Sequence, residues 1–228
     1  MRRRGLLPFV PAILLAIVPV LSACSNRTDP VRSAAERGDP SAQFTLGTAY
    51  AKGEGVPQDY AEAAKWVRRA AEQGHPEAGF NLGVAYSNGL GVPRDPTEAA
   101  RWFRVAAEQG HAGAQNNLGA AYTNGLGVPR DDGEAAKWYR MAAEQGHPHA
   151  QANLAIAYDK GKGVPQDELR AFLWFYLAAD TSTGKARDAL TRARDAAGKK
   201  LSPGQLAEAQ RLIRQREAEG ERRTRSKR

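Results

Sequence analysis

The sequence predicts an all-α fold, an α-solenoid of antiparallel helix pairs with C-terminal capping helices. Three observations predict it. Gly-Val-Pro occurs at Gly55-Val56-Pro57, Gly91-Val92-Pro93, Gly127-Val128-Pro129 and Gly163-Val164-Pro165, each copy 36 residues from the last. Around it four units align without a gap, at 39–74, 75–110, 111–146 and 147–182. Within each unit, two stretches with helical apolar spacing are separated by glycine and proline. A fixed period of this length marks stacked supersecondary units, each burying its apolar face against its neighbours. Composition agrees with a folded protein: 228 residues, 42% hydrophobic and 25% charged, with a single Cys. One cysteine excludes an internal disulfide framework and a Cys-cluster zinc site.

Residues 1–23 read as an export signal. Arg2, Arg3 and Arg4 precede an uncharged apolar run from Gly5 to Ala23, the charged start and hydrophobic middle of a secretory leader. Leu21-Ser22-Ala23-Cys24 resembles the bacterial lipoprotein box, in which the cysteine thiol is acylated and becomes the new N-terminus. The competing reading is a transmembrane anchor with an unmodified Cys24. Pro8, Pro11 and Pro19 interrupt a run that is near the minimum length for a spanning helix, which favours the lipoprotein. Ser25 after the Cys implies, by that resemblance, sorting to the outer membrane on its periplasmic side. Residues 24–29 are then a lipidated linker. Five residues reach at most about 18 Å, so the stack begins beside the bilayer.

Residues 30–38 read as an N-terminal half-repeat, because Ala34-Ala35-Glu36-Arg37-Gly38-Asp39-Pro40 parallels the junction around Gly74. In unit one Asp39 is an N-cap and Pro40 opens the helix, where its missing N–H costs nothing. Ala42, Leu46 and Tyr50 follow on one face, then Gly53 and Gly55 stop the helix. Asp59 begins the second helix with Glu62 three residues on, read as a reciprocal capping box. Asp95 with Glu98 and Asp131 with Glu134 repeat the pair, while unit four has Asp167 with Arg170. Ala63, Trp66, Val67 and Ala70 supply the apolar face. Gly47, Gly83 and Gly119 fall mid-helix at a cost of about 1 kcal/mol each, which implies close helix approach; unit four has Ala155 there.

The pattern Ala-x-x-x-Leu-Gly-x-x-Tyr, Gly-x-Gly-Val-Pro, then Ala-Ala-Lys/Arg-Trp and Ala-Ala-Glu-Gln-Gly-His resembles the Sel1-like repeat, a relative of the tetratricopeptide repeat. It spans 39–182. The resemblance implies a right-handed superhelix. After it, 183–218 reads as two capping helices, one near Lys185 to Ala197 and one opening at Ser202-Pro203 with Gln205 completing a capping box. Residues 219–228 read as a basic flexible tail, without the apolar residues that would order it. Removing residues 1–23 lowers the net charge from +8 to +5, and the segment from Arg211 to Arg228 alone carries that excess.

The search for chemistry finds no Ser-His-Asp set, no phosphate loop and no carboxylate pair outside helix starts. His75, His111 and His147 recur at the repeat period, and copies one unit apart lie about 10 Å from each other, too far to share an ion. No catalytic residue, metal or other cofactor is expected. The chain does not read as an enzyme, and no small-molecule substrate or nucleic-acid partner is expected of an exported protein.

What remains is a surface for protein partners. In tetratricopeptide-like stacks the first helix of each unit lines the concave side, and the residue before the Leu faces it. Those residues are Thr45, Asn81, Asn117 and Asn153, with Asn88 and Asn124 nearer the helix ends. Asn offers donor and acceptor, so a row of them suits the backbone of an extended peptide; repeat consensus without a ligand is the other reading. Phe44 and Phe80 lie one step away, placed either in the groove or between units. Ser41, Glu77, Gly113 and His149 stand where a carboxylate clamp would need Lys or Arg. The resemblance implies a membrane-tethered scaffold for other envelope proteins, first in an assembly such as exopolysaccharide secretion and second in periplasmic signalling. A β-lactamase-like hydrolase is disfavoured, because the paired cysteines of those relatives are absent.

Overall fold

A computed structural model describes residues 29–225, and these form eleven helices and no strand. α1 (Asp29–Glu36) is the half-unit. α2 (Pro40–Lys52) with α3 (Tyr60–Glu72), α4 (Pro76–Asn88) with α5 (Pro96–Glu108), α6 (Ala112–Asn124) with α7 (Asp132–Glu144), and α8 (Pro148–Lys160) with α9 (Glu168–Asp180) are the four units. α10 (Gly184–Gly198) and α11 (Pro203–Arg225) follow. From α1 to α10 each helix packs on its neighbours in sequence, whereas α11 packs on α9. The result is a quasi-one-dimensional stack. The export signal and Cys24 lie outside the described residues.

The helix starts follow the sequence with one correction. Asp59, Asp95, Asp131 and Asp167 each accept a backbone N–H from their own first turn, at 2.8 to 3.1 Å. Glu62, Glu98 and Glu134 do not close the reciprocal half of the box. The Asp59 N–H already donates to the Tyr50 carbonyl at 2.9 Å, as Asp95 does to Tyr86 and Asp131 to Tyr122. The glutamates pair instead with Lys65, Arg101 and Lys137 on the exposed surface. That backbone bond ties the start of the second helix to the end of the first. Ser202, with no such competitor, does form the full box: its N–H donates to Gln205 Oε1 at 2.9 Å and its Oγ accepts from the Gln205 N–H at 3.3 Å.

The core is a column of one residue type. Leu46, Leu82, Leu118 and Leu154 are 0% exposed, surrounded by buried alanines of the second helices. Gly83 shows why small residues face that column: a Cβ there would lie 2.6 Å from the Phe103 ring, and one on Gly119 would lie 2.8 Å from Tyr139. These approaches are inside van der Waals contact, so the helices pack at this distance only with glycine. A turn glycine ties successive units together. Gly91 has φ +70°, and a Cβ on it would fall 1.8 Å from the Tyr60 carbonyl oxygen of the preceding unit. The same approach recurs for Gly127 against Pro96 and Gly163 against Asp132.

Two polar ladders cross the unit boundaries. Arg32, Arg68, Arg104 and Arg140 each donate to the hydroxyl of a tyrosine eighteen residues on: Tyr50, Tyr86, Tyr122 and Tyr158. Buried Gln43, Gln115 and Gln151 donate through Nε2 to the carbonyls of Ala35, Ala107 and Ala143, at 3.1 to 3.2 Å. Gln73 and Gln145 then donate to the Oε1 of Gln43 and Gln115. Unit two has Gly79 at the ladder position, and Thr181 stands where the fourth donor would be. Gln151 Oε1 is therefore buried without a partner.

At the C-terminus, α10 covers the exposed flank of unit four: Ala197, Leu190 and Ala193 pack with Ala155, Phe172 and Phe175. α11 buries Ala209 and runs to Arg225, past position 219 where the sequence places the start of a flexible tail.

Candidate partner-binding groove

The same face of the stack carries an open pocket at each of its three unit-to-unit steps. The first, about 230 Å³, lies between α2, α3 and α4 and includes Tyr60, Ala63, Val67, Asn81 and Leu90. The second, about 310 Å³, includes Pro96, Ala99, Phe103, Asn117 and Leu126. The third, about 100 Å³, includes Asp132, Ala135, Tyr139, Asn153 and Lys162. Each of these five positions recurs 36 residues on from one pocket to the next. The pockets thus descend from the repeat itself: the start of a second helix, its apolar face as floor, and the next unit's first helix as wall.

Asn81, Asn117 and Asn153 each stand in one pocket, half-buried. Asn153 Nδ2 donates to Asn116 Oδ1 at 3.1 Å, and Asn116 Nδ2 donates to Asn117 Oδ1 at 3.3 Å. Asn117 thus retains its NH₂ and Asn153 its carbonyl for a ligand. Asn88 lines the second pocket, but its Nδ2 donates to the Val84 carbonyl of its own helix at 3.0 Å. Asn124 does the same toward Ala120 at 2.8 Å. Thr45, exposed, donates to the Ser41 carbonyl.

Phe44 and Phe80 are displaced from the groove that the sequence allowed them. Phe44 stacks on His75 with ring centroids 4.9 Å apart, and Phe80 stacks on His111 at 4.5 Å. Both pack against buried core clusters between units. Burial between units removes more apolar area from water than a groove wall would, so packing wins at this position. The apolar contribution to the groove comes instead from Tyr60, Leu90, Leu126 and Ile156, which are 41 to 49% exposed. Sequence reasoning missed these four. Leu90 and Leu126 follow a helix-ending glycine, a place where a large apolar residue has no packing role, and that was the available signal.

The groove carries more cations than carboxylates, although Lys52 lies 3.8 Å from Glu54 Oε1 on the exposed surface. Lys52, Arg94 and Lys162 each line one pocket. The carboxylate there, Asp132, is engaged by Arg130 at 3.0 Å. Arg94 is held in place by donating Nε to the Ser87 carbonyl at 3.1 Å. At the floor of the third pocket, burial pushes the Tyr139 phenol above its ordinary range, with a hydrogen bond to Thr123 opposing. It stays neutral.

The recurring histidines serve the helices. His75, His111 and His147 are N-caps whose Nδ1 accepts the N–H of Ala78, Ala114 and Ala150, at 3.0 to 3.3 Å. An accepting Nδ1 requires the neutral tautomer protonated at Nε2. Among the described residues, no group of three or more His, Cys, Asp and Glu is arranged to hold a metal ion. No described helix is long and apolar enough to cross a membrane.

The Sel1 repeat profile matches residues 40–75, 76–111, 112–147 and 148–180. The chain belongs to the Sel1 repeat family. Its Sel1 repeats are similar to those of a protective antigen of uropathogenic Escherichia coli strains with an SLR fold, 36% identical with a TM-score of 0.67. That match covers 75% of this chain, which spans only 41% of the antigen. A Sel1 repeat protein from Oxalobacter formigenes is 34% identical, with a TM-score of 0.64 and 72% of each chain covered. No curated protein matches the chain. Sel1 repeats generally mediate protein–protein interaction, and their solenoid is typically a non-enzymatic scaffold.

Proposed function

We propose that this Sel1 repeat protein is a membrane-tethered interaction scaffold of the bacterial cell envelope, lipidated at Cys24 and facing the periplasm, whose work is binding. The carrying observation is the threefold pocket with Asn81, Asn117 and Asn153, one per unit step. A surface repeated with the fold, apolar at its floor and with an amide at its wall, suits a partner that runs along the stack. The leader and Cys24 support the address, and the short linker after Cys24 would hold a captured partner close to the bilayer. Assembly of an envelope machine, such as one for exopolysaccharide secretion, is the role proposed; regulation of a periplasmic sensor is the second.

The test is crosslinking of the full-length protein in its native cell, read by mass spectrometry, for the wild type and for the N81A/N117A/N153A variant. Crosslinks from an envelope protein to the three-pocket face, lost in the variant while helical circular dichroism is retained, are expected. Partners attached only to other faces would overturn the groove. Globomycin-insensitive processing, or a mature N-terminal peptide whose Cys24 carries no lipid by mass spectrometry, would overturn the lipid anchor.

A further inference from the structure

We propose that the three pockets take consecutive turns of a polyproline II segment, acidic between its anchors, with a small apolar residue or proline at every third position. This rests on the groove being the partner site. Three observations lead to it: the spacing of the pockets, the amides in their walls and the charge at their rims.

The pockets are one unit apart, and helix layers at normal packing distance advance about 10 Å per unit. A polyproline II helix has 3 residues per turn and rises about 3.1 Å per residue, so anchors at i, i+3 and i+6 fall on one face roughly 9 Å apart. A β-strand places same-face side chains about 6.7 Å apart, and its residue at 10 Å points away. An α-helix reaches the spacing with anchors seven residues apart, but its backbone groups are already paired within the helix. The polyproline II backbone has no internal hydrogen bonds, which matches what Asn117 and Asn153 retain, an NH₂ and a carbonyl. The exposed Leu90 and Leu126 rim the first two pockets, and the third is the smallest, about 100 Å³. The anchor for that third pocket is correspondingly small.

Charge selects the residues between anchors. Lys52, Arg94 and Lys162 place one cation at each pocket; Lys52 has an exposed, long 3.8 Å contact with Glu54, and Asp132 is engaged by Arg130. Carboxylates on the partner complement this row, steer the encounter and make it weaken with salt.

The probe is a fluorescein-labelled peptide of four Pro-Glu-Glu triplets, titrated against the full chain in detergent micelles by anisotropy. Three controls are the same residues with prolines at every second position, Pro-Lys-Lys triplets, and a helical acidic peptide with leucine every seventh residue. Tighter binding of the Pro-Glu-Glu peptide by at least tenfold over each control is expected. K52E/K162E, which changes exposed side chains only, should weaken it by a similar factor with circular dichroism unchanged. Equal binding of the shuffled peptide, or preference for the helical one, overturns the inference. Cellular crosslinks to the groove combined with that result would sink the polyproline II segment and leave the scaffold standing; crosslinks that bypass the groove would sink the scaffold's site itself.

Discussion

Gly79→Gln should stabilise the protein, although it places a long polar side chain in the interior. In units one, three and four the equivalent Gln43, Gln115 and Gln151 are no more than 4% exposed and donate to the carbonyl eight residues earlier. At Gly79 that carbonyl belongs to Ala71, and the amide placed to complete the ladder belongs to Gln109. A Cβ added at Gly79 meets Ala106 Cβ at 3.4 Å, an ordinary contact. Replacing a helix-interior glycine contributes about 1 kcal/mol. Two hydrogen bonds add about 1 kcal/mol each, and ordering the glutamine costs about 1.5 to 2 kcal/mol. The net gain is about 1 kcal/mol, or roughly 2 to 4 °C in Tm for a domain of this size. Differential scanning calorimetry reads the shift, and hydrogen exchange should slow most where α3 meets α4. An unchanged or lowered Tm with full helix content would refute the reasoning that the glutamine ladder adds stability at a unit junction beyond each unit's own packing.

Gly83→Ala, one turn further along α4, should do the reverse: its Cβ would fall 2.6 Å from Phe103, and overpacking costs about 1 to 3 kcal/mol, measurable as a lower urea midpoint. Thr181→Gln should supply the missing donor to Gln151 Oε1 and raise Tm by a few degrees, since an unsatisfied buried acceptor costs about 1 to 3 kcal/mol. Burial, with His149 and His111 adding to it, holds His147 below the usual imidazole range. Its folded value lies below its unfolded one, so its contribution is present above about pH 6.5 and is lost as pH falls through the folded value. Urea midpoints at pH 7.5 and 5 should therefore diverge less in His147→Asn, which keeps an N-cap that does not titrate. The N81A/N117A/N153A variant should keep its Tm within about 2 °C while losing groove crosslinks, because the three amides are half-buried wall residues and not core.

Much of the fold is legible in the sequence alone. The period placed the units, and Asp, Pro and Gly placed the helix ends, because each acts on the backbone within a turn of itself. Other features were not legible. Glu62 looked like half of a capping box, but the Tyr50 carbonyl takes the Asp59 N–H, and that bond bridges two helices. Phe44 and Phe80 read equally well as groove or core until their stacking on His75 and His111 placed them between units. The histidines read as structural from their spacing, yet Nδ1 as the N-cap acceptor is a matter of side-chain geometry.

By itself the sequence determined the all-α repeat, its register and its capping, since these depend on contacts a few residues apart and on a hydrophobic spacing repeated four times. Only the tertiary structure decided where the surface is open. Tyr60, Leu90 and Leu126 lie thirty or more residues apart or in different units, and they share a face because neighbouring units stack. Each gap on that face is set by what lies across it in the next unit, which no local pattern encodes.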